Sequence, residues 1–231
     1  MIDWHSHILP GMDDGSRDVA ESISMLSALA TQGVDMVMAT PHFYANDESV
    51  DEFLNRRRYS YESLYTHYGD GNVRVWCGAE VKYYSGISRM DGLEKLAIEN
   101  TNLLLLEMPM TKWTNMMRQE LQDLINTRGL QIIFAHIERY LAWQDLTVVR
   151  QLCESGARMQ VNASFFDRLG SRKKAMKLLK AGWIHFIGSD CHNMTTRPPK
   201  LSSAYDLIRK KFGEDYTFQM IQYGYHVLGH S

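Results

Sequence analysis

The sequence "LLLLEMP", residues 103–109, places a carboxylate directly after a short apolar run. Four consecutive leucines lack the alternation of a strand with one wet face, so the run is typical of a strand buried on both faces of a parallel sheet. Glu107 follows at once, and a carboxylate in such surroundings needs a paired charge or a bound cation. The same pattern, an apolar run followed by an ionisable residue, recurs along the chain.

Seven such runs alternate with longer amphipathic segments. The runs are 2–5, 34–40, 73–79, 103–107, 130–135, 158–162 and 184–188. Helices are predicted over 17–33, 47–68, 112–129, 171–182 and 199–213, and a loop with a short helix over 85–100. Because no Pro-, Ser- or Gly-rich linker divides these units, residues 1–231 are predicted to form one α/β domain. A closed, TIM-like barrel of parallel strands is favoured, and a doubly wound open sheet is the alternative.

Composition excludes several classes of function. The 231 residues carry a formal net charge of −2, without the basic strip that typifies a nucleic-acid-binding protein. No apolar run is long enough to span a bilayer, and the N-terminal residues lack a signal-peptide pattern. Three cysteines argue against a disulfide framework and for a reducing compartment. We therefore expect a cytoplasmic protein that inserts into no membrane and binds no nucleic acid.

Nearly every run is followed by a histidine, an aspartate or a glutamate, and in an α/β barrel these strand ends meet at one rim. The candidates are His5, His7, Asp14, His42, Glu80, Glu107, His136, Asp190 and His192. Singly they have ordinary explanations, since Asp14 also suits a turn and His136 a buried, hydrogen-bonded histidine. As a set they suit Mn²⁺, iron or zinc. Nine ligands exceed the needs of one ion, so two or three ions sharing a bridging carboxylate are predicted.

Six stretches occur in the order found in the PHP (polymerase and histidinol phosphatase) superfamily: "DWHSHILPGMDDG", "ATPH", "GAEV", "LLEMP", "AHIERY" and "IGSDCHN" with a later "RPP". They span residues 3–199. More closely, the chain resembles the bacterial manganese-dependent protein tyrosine phosphatases of capsule and exopolysaccharide operons. The resemblance implies a distorted (β/α)7 barrel of the PHP type that holds three manganese ions, with iron or zinc as alternatives. It also implies a phosphotyrosine substrate on the tail of a membrane-associated bacterial tyrosine kinase that controls polysaccharide export.

The resemblance further implies roles for individual residues. His5, His7, Glu80 and Asp190 would hold one ion, Asp14, His42 and His192 a second, and Glu107 and His136 a third, with Glu80 as the bridge. Arg139 and Arg197 would bind the substrate phosphate, and His42 or His192 would assist catalysis. From the chemistry of bridged metal ions, we expect a hydroxide shared between them to attack phosphorus. Segment 216–231 matches no family element, and the oligomeric state stays open.

A second chemistry is offered by "CHNMTTR", residues 191–197, where a cysteine and an arginine have the spacing of cysteine-based phosphatases. However, the stretch has no glycine to help it curl round an anion, and two prolines without N–H donors follow Arg197. Asp190 would also disfavour a thiolate beside it. We expect Cys191 to point away from the site and the spacing to be a coincidence.

The identity of the substrate is open to more than one interpretation. Aromatic side chains that follow the ligand-bearing strands either line the mouth for a phosphotyrosine ring or simply pack; they are Phe43, Tyr44, Tyr83, Tyr84 and Tyr140. Arginines 56–58 suit a solvated helix face better than a dock for an acidic tail. Histidinol-phosphate phosphatase or another PHP phosphoesterase is the competing enzymatic hypothesis. A phosphopeptide-binding module with a vestigial metal site is the non-enzymatic one.

Overall fold

The strands of the protein form a ring in which every pairing is parallel. The computed structural model describes residues 1–229. Its strands are β1 (Ile2–Ser6), β2 (Met36–Ala39), β3 (His42–Phe43), β4 (Arg74–Cys77), β5 (Glu80–Lys82), β6 (Leu103–Glu107), β7 (Gln131–Phe134), β8 (Arg158–Asn162) and β9 (Phe186–Gly188). They pair in the orders β1-β2-β4 and β3-β5-β6-β7-β8-β9.

Two of the predicted runs, 34–40 and 73–79, are each followed by a kink that separates two short strands. The backbone N–H of Gly78 donates to the carbonyl of Ala39 at 2.8 Å, and that of Glu80 donates to Pro41 at 3.0 Å. Pairing therefore continues from β2 and β4 into β3 and β5. In the barrel, β2 and β3 together take the place of one strand, and so do β4 and β5. The predicted barrel is distorted here because Pro41 has no N–H to contribute.

The ring closes between its first strand and the segment after its last. The N–H of Asp190 donates to the carbonyl of His5 at 2.8 Å, and the N–H of His7 donates to that of Cys191 at 2.9 Å. Ser6 and Cys191 form a parallel bridge at the same point. The predicted barrel of seven strand-helix units is therefore confirmed, and the open-sheet alternative is wrong.

The helices cover the outside and one end of the ring. They are α1 (Val19–Ala30), α2 (Val50–Tyr68), α3 (Asn115–Asn126), α4 (Leu146–Glu154), α5 (Leu169–Lys180), α6 (Ser202–Phe212) and α7 (Glu214–Val227). The five helices predicted from the sequence are present with their ends shifted by up to three residues, whereas α4 and α7 were missed. Segment 85–100 contains two 3₁₀ turns, Ile87–Arg89 and Leu93–Leu96. No helix in the described part of the chain has the length and apolarity to cross a membrane.

The barrel interior is apolar in the half that lies nearer the N-terminal ends of the strands. Its members are Ile2, Trp4, Met36, Met38, Leu103, Leu105, Ile133, Ala135 and Phe186. Trp4 stacks on Phe186 with ring centroids 3.7 Å apart. Helix α7 closes this end, since Leu228 joins the cluster and a Cβ at Gly224 would lie 3.2 Å from Trp4. The aromatic C-terminal segment thus plugs the bottom of the barrel, and a second core fills the space between strands and helices.

A register shift in β1 allows two neighbouring residues to face the interior. The pairing of β1 with β2 is irregular between Asp3 and Ser6. Trp4 packs in the apolar layer, while His5 places its Nε2 3.1 Å from Glu80 Oε2 in the layer above. A regular strand would send adjacent side chains to opposite faces, so the irregularity is what brings His5 inward. Gly188 leaves the room for it, because a Cβ there would lie 2.6 Å from the His5 Cβ.

We expect Gly188→Ala to destabilise the protein by roughly 1–3 kcal/mol, as overpacking of a dense interior does. The added methyl group would also meet the His5 backbone nitrogen at 2.9 Å, which cannot rotate away. Denaturant unfolding at equilibrium measures the change. Gly170→Ala in α5 is the matched control, since a Cβ there meets nothing within 4 Å, and it should leave stability equal or raised by up to about 1 kcal/mol. Equal stability of both variants would contradict the close approach.

Candidate metal centre

All nine ligand candidates come together at the C-terminal rim of the barrel. Three groups have ligand atoms within 4.8 Å of one another: His7, Asp14, His42 and His192; His5, His7 and Asp190; and His42, Glu80 and Glu107. His136 joins them through Nε2, which lies 2.7 Å from Glu80 Oε1 and 3.7 Å from Glu107 Oε1. Metal bonds of about 2.0–2.2 Å place the ligands of one ion roughly 3–4 Å apart, which is the spacing seen here.

Glu80 occupies the centre of the cluster. Its Oε2 lies 3.1 Å from His5 Nε2, 3.4 Å from His7 Nε2 and 3.0 Å from His42 Nδ1, and its Oε1 lies 2.7 Å from His136 Nε2. Burial opposes ionisation, but the surrounding imidazoles, His5 above all, lower the pKa of Glu80 well below its usual range. An ionised carboxylate that contacts four imidazoles is in the position of a ligand shared between sites.

Three of the histidines are held by their outer ring nitrogen. The pairs are His5 Nδ1 with Gln160 Oε1 (3.3 Å), His7 Nδ1 with Asp13 Oδ2 (2.7 Å) and His192 Nδ1 with the carbonyl of Asp190 (3.0 Å). Each partner is an oxygen that can accept a hydrogen bond from Nδ1–H, and in that tautomer the lone pair of Nε2 is directed into the cluster. Histidines that bind metals are oriented in this way.

Two buried nitrogens of the cluster lack a hydrogen bond within residues 1–229: His42 Nδ1 and His192 Nε2. Each nevertheless lies near a carboxylate oxygen, at 3.0 Å from Glu80 Oε2 and 3.3 Å from Asp14 Oδ1 respectively. Burial lowers the pKa of His192 to about 4, so its ring is neutral and its lone pair is available. Buried polar atoms without partners are costly, and a cation placed between nitrogen and carboxylate removes that cost. The donor set therefore fits metal ions.

The charge balance of the site leads to the same inference. Five carboxylates meet here, those of Asp13, Asp14, Glu80, Glu107 and Asp190. Three cationic side chains contact them: Lys82 Nζ lies 2.8 Å from Glu107 Oε2, Arg139 Nη2 2.6 Å from Asp190 Oδ2 and Arg197 Nη2 2.7 Å from Asp190 Oδ1. When the histidines are neutral, as metal binding requires, the cluster holds an excess of negative charge, which favours divalent cations.

The backbone is strained at two of the candidate ligands. His136 and Asp190 have φ values of 34° and 52°, in a region that residues other than glycine seldom adopt. Hydrogen bonds hold both: the N–H of His136 donates to Gln160 Oε1 at 2.7 Å, and that of Asp190 to the carbonyl of His5. Strain of this kind costs of order 1–3 kcal/mol per residue and clusters at functional sites.

A cleft of about 300 Å³ opens beside the cluster. Arg139 and Arg197 line it together with Asp190, and their side chains are about one-third exposed. The two guanidinium groups, which share the Asp190 carboxylate, present N–H donors at the cleft to which a tetrahedral anion can bind. The two arginines predicted from the sequence therefore lie side by side next to the candidate ligands.

Cys191 lies on the other side of the strand end, as expected. It is fully buried in the apolar core between strands and helices. Burial, with a smaller contribution from Asp3, raises the pKa of its thiol far above the usual range. A thiol that is neither ionised nor accessible cannot act as a nucleophile, so its spacing from Arg197 carries no chemistry.

The aromatic residues near the mouth fall into two groups. Phe43 and Tyr140 are fully buried, the hydroxyl of Tyr83 donates to Glu120, and Tyr84 packs against the core. Tyr44 is 39% exposed and stacks on His42, with ring centroids 5.4 Å apart. Of the five aromatics, Tyr44 is the one that the structure offers to a ligand at the mouth.

The prediction that arginines 56–58 form a solvated face is wrong for Arg57. Its side chain is buried and donates from Nη1 to the carbonyl of Gly78 at 2.7 Å, where it supports the kink before β5. Arg56 donates to Glu48 and to the carbonyl of Met12, both at 2.5 Å. These two arginines are committed to the fold.

Sequence reasoning missed three residues of the site. Asp13, next to Asp14, accepts hydrogen bonds from the His7 ring and from the backbone of His42 and Gly15. Lys82 stands two residues from Glu80, and Gln160 stands two residues from Asn162, whose Nδ2 donates to Asp190 Oδ2 at 2.7 Å. In a strand, residues two apart share a face, and that spacing was the signal available for both.

The fold and the cluster together define a PHP-type α/β barrel with a candidate metal centre. The chain belongs to the family Capsular polysaccharide synthesis, CpsB/CapC, whose model matches residues 1–225.

Individual relatives agree with this assignment. The chain is 31% identical over 236 residues to tyrosine-protein phosphatase YwqE of Bacillus subtilis, covering 96% of this chain and 89% of that protein. Among solved structures it resembles one from a study of YwqE of Bacillus subtilis and CpsB of Streptococcus pneumoniae, described as unique metal-dependent tyrosine phosphatases. That match has a TM-score of 0.83 and 27% identity, covering 100% of this chain and 96% of the other.

A more distant structural relative shares the fold alone. The histidinol phosphate phosphatase of Lactococcus lactis, solved with zinc, L-histidinol and phosphate, has a TM-score of 0.55 and 12% identity. The match covers 95% of this chain and 93% of that one.

We expect Asp13→Asn to weaken metal binding by about 10–100-fold, the usual effect of losing a partner that orients a histidine ligand. Asp13 accepts three hydrogen bonds, so an amide NH₂ group would face a donor at one of them. Titration of metal-free protein with Mn²⁺ measures the change. Asp91→Asn, at an exposed position, is the control and should bind like the wild type. Unchanged affinity in Asp13→Asn would show that His7 does not depend on this partner.

Proposed function

We propose that this protein is a metal-dependent protein tyrosine phosphatase. The observation that carries the proposal is the buried cluster of histidines and carboxylates around Glu80, with Arg139 and Arg197 beside it at an open cleft. Imidazole and carboxylate ligands suit ions that act on phosphate esters, and arginine forks suit the phosphate itself. The relatives named tyrosine-protein phosphatases support the same reaction.

We propose further that three manganese ions occupy the site, with iron or zinc as alternatives. One would be held by His5, His7, Glu80 and Asp190, one by Asp14, His42 and His192, and one by Glu107 and His136, with Glu80 shared. The three groups of close ligand atoms support three positions. When bound, such ions lower the pKa of water and neutralise charge on phosphate oxygens.

The residues of the chain itself supply binding and orientation. Arg139 and Arg197 would each donate two N–H groups to the phosphate and stabilise the charge that develops on its oxygens. Tyr44, exposed above His42, would contact the ring of the phosphotyrosine. His42 has a 17% exposed side chain, whereas His192 is buried, so His42 is better placed to move a proton to the departing phenolate.

The substrate would be the phosphorylated tail of a bacterial tyrosine kinase that regulates capsule synthesis, met in the cytoplasm. The family's association with capsular polysaccharide supports this setting, and the three free cysteines suit a reducing compartment. Histidinol phosphate is less favoured, since that relative shares the fold alone. A vestigial binding module is also disfavoured, because it would have no need of nine converging ligand side chains.

Removal of metal should reduce hydrolysis of a phosphotyrosyl peptide by at least about 100-fold, since electrostatic stabilisation of the transition state is lost. The protein is treated with chelator, dialysed, assayed, and then supplied with Mn²⁺, which should restore the rate. Elemental analysis before and after verifies the metal content. Histidinol phosphate is the comparison substrate and should be turned over more slowly. A full rate in protein shown to be metal-free would overturn the proposal.

Two substitutions separate metal from thiol chemistry. Arg197→Lys should lower kcat/KM by about 10²-fold, because lysine cannot form the two-pronged contact with phosphate. Cys191→Ala should retain activity within about twofold, since the thiol is buried away from the site. Steady-state kinetics on protein of equal metal content measures both. Loss of activity in a folded, metal-loaded Cys191→Ala variant would instead favour a thiolate nucleophile.

A further inference from the structure

Helix α5 carries a concentration of positive charge that the metal centre does not use. Residues 168–180 contain six arginines and lysines and no acidic residue, in a chain of net charge −2. Lys173, Lys174, Lys177 and Lys180 are exposed. In the part of the chain that the structure describes, none of the four forms a salt bridge or a hydrogen bond. We call these four lysines the α5 basic face.

An apolar groove lies against this face. It has a volume of about 240 Å³ and is lined by Leu141, Leu146 and Leu178, with Lys174 and Lys177 at its edge. Leu146 is 37% exposed, so a large apolar side chain is accessible at the start of α4. An apolar groove that two lysines also line suits an apolar side chain with acidic residues next to it. We call it the α5 groove.

The groove and the phosphate cleft are built on the same two segments. The 3₁₀ segment Ile137–Ala142 brings Arg139 to the cleft and Leu141 to the groove. Asp167 lines the cleft just before α5, which carries Lys174 and Lys177. At 1.5 Å per residue, Lys174 and Lys177 lie roughly 10–15 Å along the helix from Asp167. An extended peptide covers that distance in about three to five residues.

We propose that the α5 groove and basic face dock an acidic segment of the substrate, three to five residues from the phosphotyrosine, with an apolar residue in the groove. This rests on the proposed function, which supplies an anionic peptide. The acidic groups would be aspartate, glutamate or a second phosphotyrosine, each attracted by the unpaired lysines. Arg56 and Arg57 do not compete for this role, because both are bound within the fold.

The shape of the site favours a peptide over a membrane surface. A bilayer needs a broad basic surface, whereas Lys174 and Lys177 line a pocket of about 240 Å³ together with three leucines. Lysines that guide an anionic segment raise the association rate and lose their effect at high salt. The lysines of the groove should therefore affect KM for the peptide and leave the chemical step unchanged.

The test compares Lys174→Glu/Lys177→Glu with Lys210→Glu/Lys211→Glu, a matched reversal of two exposed lysines in α6. The substrates are two phosphotyrosyl peptides of equal length, one with two glutamates and a leucine three to five residues from the phosphotyrosine, the other with serines there. Free phosphotyrosine, too short to reach the groove, is the third substrate. We expect the α5 variant to raise KM for the acidic peptide about tenfold, with kcat unchanged and the other two substrates within twofold. The α6 control should match the wild type.

The outcomes separate this inference from the proposed function. Equal KM values for the acidic peptide in the two charge-reversal variants would overturn the docking surface while leaving the phosphatase intact. Failure of wild-type, Mn²⁺-loaded protein to hydrolyse any of the three substrates would overturn the phosphatase itself. Sedimentation with phosphatidylglycerol vesicles is the parallel arm. Vesicle binding lost in the α5 variant, with peptide KM unchanged, would assign the basic face to a membrane and reject the peptide.

Discussion

A carboxylate buried among imidazoles is the constraint on which the arrangement of this protein depends. Glu80 is 1% exposed and lies within 3.4 Å of nitrogens from four histidines. Such a group is tolerable only where positive charge or coordinated metal compensates its lost hydration. The bulge in β1, the glycine at position 188 and the strained backbone of His136 and Asp190 all serve to bring compensating groups to this point.

Much of the fold could be predicted because the apolar runs are short and regularly spaced. Runs 103–107 and 158–162 coincide with β6 and β8, since short runs of this kind are typical of buried parallel strands. The kink after β4 could not be predicted, because Arg57 and Ile98 reach Gly78 there from distant parts of the chain. Helix α4 is only nine residues long, and α7 owes its place to the barrel floor that Leu228 joins.

The sequence predicts the candidate ligands of the site better than it predicts the residues that hold those ligands in place. Each candidate ligand follows a strand of the same barrel, so topology alone brings all nine side chains to one rim. Asp13 could not be separated from Asp14 by sequence, because both suit the same turn and only the path of residues 10–16 decides which carboxylate reaches His7. Gln160 likewise depends on hydrogen bonds to His5 and to the backbone of His136. The sequence shows that Gln160 shares a strand face with Asn162, but not that its side chain reaches His5 and His136.

The closure of the ring between His5 and Asp190 has a consequence for biosynthesis. His5 and His7 emerge from the ribosome first, whereas Asp190, His192 and Arg197 follow only after some 180 further residues. A growing chain therefore exposes isolated histidines without the carboxylate and the guanidinium that complete the cluster. The site cannot be complete before the last strand of the barrel is in place. Contacts between residues far apart in sequence, such as this closure, form slowly in folding. The complete set of candidate ligands therefore exists only when the polypeptide is nearly finished.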